Sequence, residues 1–242
     1  MRSLRSAALA ALLAVALTGA AAQTTGSGER TVEEAYLQET LETMIIKEQA
    51  RGDTRDLKLL ALQYIDQSIQ EGRKNEEVRK SLEYLALETS TTVVREAGVG
   101  RIINDYPDVR AKACDMLAEF PTVETKDTLL RVALSDREPM VISAAIRSLG
   151  KIGINDNDEV TQTISFIVNK YDILQPDNSL AFETLVALER LVDAGVGIKD
   201  PSIVRTVLRI ADGNYIIPVK QKARQVLDKL RKSAASSSSS GK

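Results

Sequence analysis

Residues Asp136 to Gly153 read DREPMVISAAIRSLGKIG. Pro139 opens a helical pattern, because proline suits a first helical turn, and Gly150 and Gly153 mark its end. Val141, Ala145 and Leu149 fall at offsets of four and eight, which places them on one stripe of a helix. The small residue in the middle of the stripe lets a second helix come close. One such helix cannot bury its stripe alone, so the fold turns on whether the pattern recurs.

It does recur. Val109, Ala113 and Leu117 repeat it, as do Val219, Ala223 and Leu227. Val78, Leu82 and Ala86 follow it more loosely, and so do Leu180, Thr184 and Leu188. The starting positions 78, 109, 141, 180 and 219 are separated by 31, 32, 39 and 39 residues. Around these copies the chain alternates helical periodicity with breaks rich in Gly, Pro, Asn and Asp. The pattern predicts helices over 56–70, 75–88, 92–105, 108–120, 125–134, 139–152, 158–174, 178–194, 201–211 and 218–232. Upstream, Thr31-Val32-Glu33-Glu34 fits a capping box, and a helix from there to about Ala50 carries Val32, Ala35, Tyr36, Leu41, Met44 and Ile45, with Gly52 ending it.

Composition fits stacked helices. The chain is 43% hydrophobic, enough to build a core, yet only 4% aromatic and without Trp, so small aliphatic side chains must do the packing. The first residues, MRSLRSAALAALLAVALTGAAAQ, combine basic Arg2 and Arg5, an apolar run and the small residues Ala20-Ala21-Ala22. That is the pattern of a secretory signal peptide over 1–22, with the cut after Ala22, and it points to a periplasmic or secreted protein. The run is shorter than the roughly 20 residues of a spanning helix, and no integral membrane segment is expected after cleavage. Without Arg2 and Arg5, 30 basic residues stand against 34 acidic ones, a net charge of −4. Nothing there favours nucleic acid or an anionic membrane. The single Cys114 suits an oxidising compartment, and the absence of His removes the commonest general base and metal ligand.

At DREPMVISAAIRSLGKIG the chain resembles the second half of a HEAT-type repeat, with the preceding TKDTLLRVALSD similar to the first helix. NDYPDVRAKACDMLAEF repeats the turn Asp as Asp105 and adds the Val-Arg pair Val109-Arg110; Glu77-Val78-Arg79 and Pro218-Val219-Lys220 are similar. The resemblance spans about 56–232. It implies an all-α, right-handed α-solenoid of about five hairpins. An N-terminal capping helix (31–52) precedes the repeat domain (53–232). A flexible leader (23–30) and a disordered Ser-rich tail (233–242) flank these parts. It also implies a ladder of turn Asp and helix Arg, which Ile142 and Ala181 interrupt.

The resemblance further implies a non-catalytic scaffold or adaptor that binds protein partners of the cell envelope along its concave face, with no cofactor. Arg79, Arg110, Lys112, Met116, Ile142, Arg147, Lys220 and Lys222 are the expected contact residues. Glu83, Asp115, Glu183 and Glu189 interrupt the basic tendency of that face. The alternatives are a lyase-type or chromophore-handling relative and a membrane-surface docking module.

Other motifs have plainer readings. Arg51-Gly52-Asp53 could mediate adhesion, or Gly52 could close a helix with Asp53 or Thr54 capping the next. The Ala97-Gly98-Val99-Gly100 stretch falls in a helical pattern, where glycine would permit close packing. Asn155-Asp156-Asn157-Asp158-Glu159 could hold calcium, or Asn157 or Asp158 could cap the next helix. Cys114 lies beside an apolar stripe and reads as a packing residue.

Overall fold

The computed structural model describes residues 31–91, 93–100, 102–174 and 176–239. The expected signal peptide and leader (1–30) lie outside them. The chain divides into two compact units, 1–41 and 42–242, with the division inside α1 (Val32–Ala50). In the first unit the capping box forms. The Thr31 N–H donates to the Glu34 carboxylate and the Glu34 N–H donates to the Thr31 hydroxyl, both at 3.2 Å.

The second unit continues with α2 (Arg55–Gln70), α3 (Glu76–Ala86), the single turn α4 (Glu88–Thr91), α5 (Pro107–Leu117), α6 (Val123–Ser135), α7 (Pro139–Ile152), α8 (Glu159–Leu174), α9 (Asn178–Asp193), α10 (Ser202–Asp212) and α11 (Ile217–Ser239). The starts are set locally. The side chains of Thr54, Asn75, Thr122 and Asp177 accept from N–H groups of the turns that follow them, and Pro107 and Pro139 open α5 and α7. Gly153 closes α7 at φ +71°, a left-handed conformation that favours glycine.

These helices pack in two layers. In the first, α3, α6, α8 and α10 lie side by side; in the second, α2, α5, α7, α9 and α11 do. The last turns of α1 join the first layer beside α3, where Lys47 meets Glu77 at 3.6 Å. The second-layer stripes Val109/Ala113/Leu117, Val141/Ala145/Leu149, Leu180/Thr184/Leu188 and Val219/Ala223/Leu227 are all buried. Each buried Leu or Val stabilises the stack by about 1.5–3 kcal/mol. The helices α7 and α9 approach closely at Gly150, where a β-carbon would lie 2.5 Å from Ala187 Cα.

The observed register differs from the sequence expectation. Among the described residues of 92–105 none is helical. Gly98 and Gly100 adopt φ of +83° and +72°, with open space around both, so they form a turn and do not serve helix packing. As a result α3 is a first-layer helix, and its partner α5 follows a connection of 20 residues, 87–106. Val78, Leu82 and Ala86 are buried as expected, but in the other layer. In the second layer the first copy is on α2, where Leu57, Ala61 and Ile65 hold the corresponding positions; its start lies 52 residues before Val109, and Ala61 and Ile65 are buried while Leu57 is exposed. The pairs α3/α5, α6/α7, α8/α9 and α10/α11 form hairpins, and ahead of them the end of α1 buries Ile46 and Ala50 and receives a hydrogen bond from Lys58 of α2 at the Ala50 carbonyl.

Two smaller differences concern ends. The helix α11 runs to Ser239, past Lys232 and into the stretch 233–242 expected as a disordered tail. Extending an existing helix needs no new nucleus, and Ala234 and Ala235 favour it. Before α8 the cap is Asn155 rather than Asn157 or Asp158: its Oδ1 accepts from Val160 and Thr161 N–H at 3.1 and 3.2 Å.

Candidate functional site

The eight residues expected to contact a partner do not form one open surface. Ile142 and Met116 are core residues, exposed by only 1% and 8%. Ile142 sits where its relatives carry a charge because its helix is enclosed by neighbours. Arg79 lies on α3, in the first layer, where Glu76 (2.6 and 2.9 Å) and Glu83 hold it. Burial pushes the Glu83 carboxyl above its usual range, and the Arg79 guanidinium and a hydrogen bond from Thr128 only partly offset this.

Arg110 is buried between two turns. It donates to Asp136 at 2.7 and 3.3 Å and to Asp105 at 2.7 Å. Burial works against its charge, but the hydrogen bonds to Asp136 and Asp105 outweigh it. Asp136 also accepts from the N–H groups of Arg137 and Glu138 at 2.7 and 2.9 Å. This is one link of the expected ladder. Sequence reasoning missed its companion: Lys58, the α2 counterpart of Arg110, is buried, pairs with Glu88 at 2.7 Å and donates to the Ala50 carbonyl at 3.3 Å. The ladder stops at Ile142, as expected from the sequence.

The remaining charges serve the stack. Arg147 on α7 bridges Asp115 on α5 at 2.9 Å and Glu183 on α9 at 2.8 Å. Lys222 on α11 pairs with Glu189 on α9, which holds that carboxyl below its usual range. The acids that seemed to interrupt a basic face are therefore its counterions. Opposite charges one repeat apart at matching helical positions are the signal that could have shown this. Of the six charged residues among the eight, Lys112 and Lys220 form no ion pair with the described residues; Lys112 is exposed and Lys220 half-buried.

The feature most unlike a plain stack is the connection 87–106. It enters α4 through Glu88 on Lys58 and leaves through Asp105 on Arg110. Between these anchors is a short antiparallel ribbon. Arg95 pairs with Ile102, the Ile103 N–H donates to the Val94 carbonyl at 2.9 Å, and the Val94 N–H donates to Asn104 Oδ1 at 3.0 Å. Strand side chains alternate between faces. Val93, Arg95 and Ile102 line a cleft of about 500 Å³, with Asp136, Arg137 and Glu138 across it. Val94 and Ile103 face outward, 42% and 45% exposed. Connections this long are uncommon in compact domains and are frequently functional.

The other motifs settle plainly. Gly52 ends α1 and Thr54, not Asp53, caps α2, its hydroxyl accepting from the Leu57 N–H at 3.4 Å. Cys114 is fully buried, which pushes its thiol well above the ordinary value and leaves it a packing residue. Among the described residues no group of His, Cys, Asp or Glu is placed to hold a metal ion, and no helix is long and apolar enough to cross a membrane.

Antiparallel helical hairpins stacked in two layers define an α-solenoid. A family model described as HEAT repeats matches residues 101–165, from the end of the ribbon into α8, so that stretch is similar to HEAT repeats. Members of this family are generally non-enzymatic interaction scaffolds. Neither the curated proteins nor the solved structures contain a match to the chain.

Proposed function

We propose that the chain is a non-catalytic protein-binding scaffold of the bacterial cell envelope. Its export rests on the signal-peptide pattern of 1–22. The observation that supports the scaffold reading best is the division of labour in the second unit. Charges between neighbouring helices are spent on one another, so the stack is a preformed platform. The 87–106 connection, pinned at both ends, then presents Val94 and Ile103 to solvent beside a polar cleft. An interface of this type uses a few apolar anchors inside a polar rim, and a rigid platform lowers the ordering cost of binding.

In-cell photo-crosslinking from position 94 or 103, read by mass spectrometry, tests the reading. A reproducible envelope protein is expected at both positions and not from Gln225 on α11. Equal recovery from all three positions, or no reproducible partner at any, would contradict it.

A further inference from the structure

Inside the stack each hairpin is covered on one flank by the next, as α10 covers α8 and α11 covers α9. No helix follows α11 among the described residues, so the last hairpin has a free flank. On α10, Ser202 and Arg209 meet Ser165 and Asn169 of α8 at 3.2 and 2.8 Å. Val204 and Leu208 lie on the other side of buried Ile203, Val207 and Ile210, turned away from α8, and are exposed. On α11, Lys222 and Lys229 meet Glu189 and Asp193 of α9. Ile217, Lys220, Arg224 and Arg231 lie on the other side of buried Val219, Ala223 and Val226. A repeat stack ordinarily ends on a polar outer face; here Val204, Leu208 and Ile217 are left uncovered. The flank is also basic. Arg209, Lys222 and Lys229 are engaged with acids of α8 and α9. In α10 and α11 that leaves Arg205, Lys220, Arg224, Arg231 and Lys232 against Asp212 and Asp228, of which only Asp228 comes near a cation, Arg231 at 4.0 Å.

The helix that leads the chain into the stack has the opposite character. Along α1, Leu37, Leu41, Met44 and Ile45 are 37–66% exposed. Their offsets of four, seven and eight place them on one stripe, the pattern with which a helix docks into a groove. The charged residues beside that stripe, Glu33, Glu34 and Glu48, are all carboxylates. The single cation of α1, Lys47, is engaged with Glu77.

We propose that the chain self-associates head to tail: the apolar, acidic face of α1 in one copy docks on the free flank of α10 and α11 in the next, in the place a following repeat would take. The stripe of α1 covers Val204, Leu208 and Ile217, and its carboxylates meet Lys220, Arg224 and Arg231. One chain carries both halves of this complementary pair, which selects a second copy as the occupant over a foreign protein. Apolar burial supplies the affinity, and the opposite charges set register and exclude pairing of like faces. The two surfaces differ, so the contact is heterologous, and growth continues unless the rotation closes a ring. This goes beyond the scaffold reading and does not depend on it, since the ribbon takes no part.

Sedimentation velocity of the purified full chain at rising concentration reads the assembly. Species larger than a dimer are expected, and they should dissociate as added salt screens the charges. The double variants Leu41→Arg, Met44→Arg on α1 and Arg224→Glu, Arg231→Glu on α11 each set like charges against one another and should weaken self-association by about tenfold or more. Circular dichroism of both should match the parent, because the four side chains are exposed. Each variant keeps one intact surface, so a mixture of the two should form a one-to-one dimer and nothing larger. A parent that stays monomeric, or that stops at two copies, would overturn the proposal. So would parent-like assembly of either double variant, or a mixture of the two that stays monomeric.

Discussion

In the α6/α7 hairpin three residues, 136–138, carry the chain from one helix to the next; in the α3/α5 hairpin 20 residues do so. The buried stripes of α5 and α7 are nonetheless alike: Val109, Ala113 and Leu117 match Val141, Ala145 and Leu149 in depth. The stack thus tolerates great freedom at the turn and little within the layer. Loop closure grows slowly with length, about 0.6 kcal/mol per doubling, so the long connection costs the fold little. By contrast, one β-carbon at Gly150 would collide with Ala187. What the long turn must keep is its two anchors, Glu88 on Lys58 and Asp105 on Arg110.

This contrast can be broken in graded steps. The largest effect is expected from excising 136–153 in frame, which removes the helix joining α5 to α9. Cooperative thermal unfolding followed by circular dichroism should be lost, and an unchanged midpoint would contradict the stacking itself. Asp136→Ala comes next. Both Arg110 and Asp136 are almost fully buried, so the variant leaves a buried charge partly unpaired and should cost about 3–5 kcal/mol by urea titration. Gly150→Val should cost about 1–3 kcal/mol, because α7 and α9 must separate.

The smallest expected effect is the acid response. Arg55 holds the Asp108 carboxyl below its usual range. A depressed folded value means that this pair stabilises the fold above the ordinary carboxylate pKa, about 4, and loses its contribution as pH falls through the depressed value. Asp108→Asn should therefore show a shallower fall in unfolding midpoint between pH 5 and 3 than the parent. Glu83, raised by burial, acts with the opposite sign: its contribution is present at low pH and lost as pH rises, so Glu83→Gln should steepen the acid fall. Both pairs are partly exposed, so the changes should be small.

The two-layer helical fold was legible in the sequence because its signal is periodic. Offsets of four and eight report a buried stripe whatever its partners, and Val141, Ala145 and Leu149 behave as read. The register was harder. Val78, Leu82 and Ala86 form a better buried stripe than Leu57, Ala61 and Ile65, whose first member is exposed; both layers bury one face, and a regular spacing of 31 residues hid an insertion. Gly98 and Gly100 did carry the warning, for two glycines only two positions apart suit a turn better than a helix. The contact residues were the least legible. A charge at a helical position reads the same whether it meets solvent, as Lys112 does, or a counterion one repeat away, as Arg147 does. Ile142 shows the limit from the other side, because an apolar residue among charged relatives marks either a contact or a more enclosed helix.

The connection 87–106 is an insertion within the α3/α5 hairpin and contributes no helix to either layer. Val94 and Ile103 lie opposite each other in the ribbon, so an Asn-Gly turn can replace 95–102 with ordinary hairpin geometry while Glu88 and Asp105 stay in place. Thermal unfolding of that shortened chain is the direct measurement. The insertion account predicts one cooperative transition with a midpoint within a few degrees of the parent. A large fall in the midpoint, or loss of cooperativity, would show that 92–105 supplies a helix to the stack and would contradict the account.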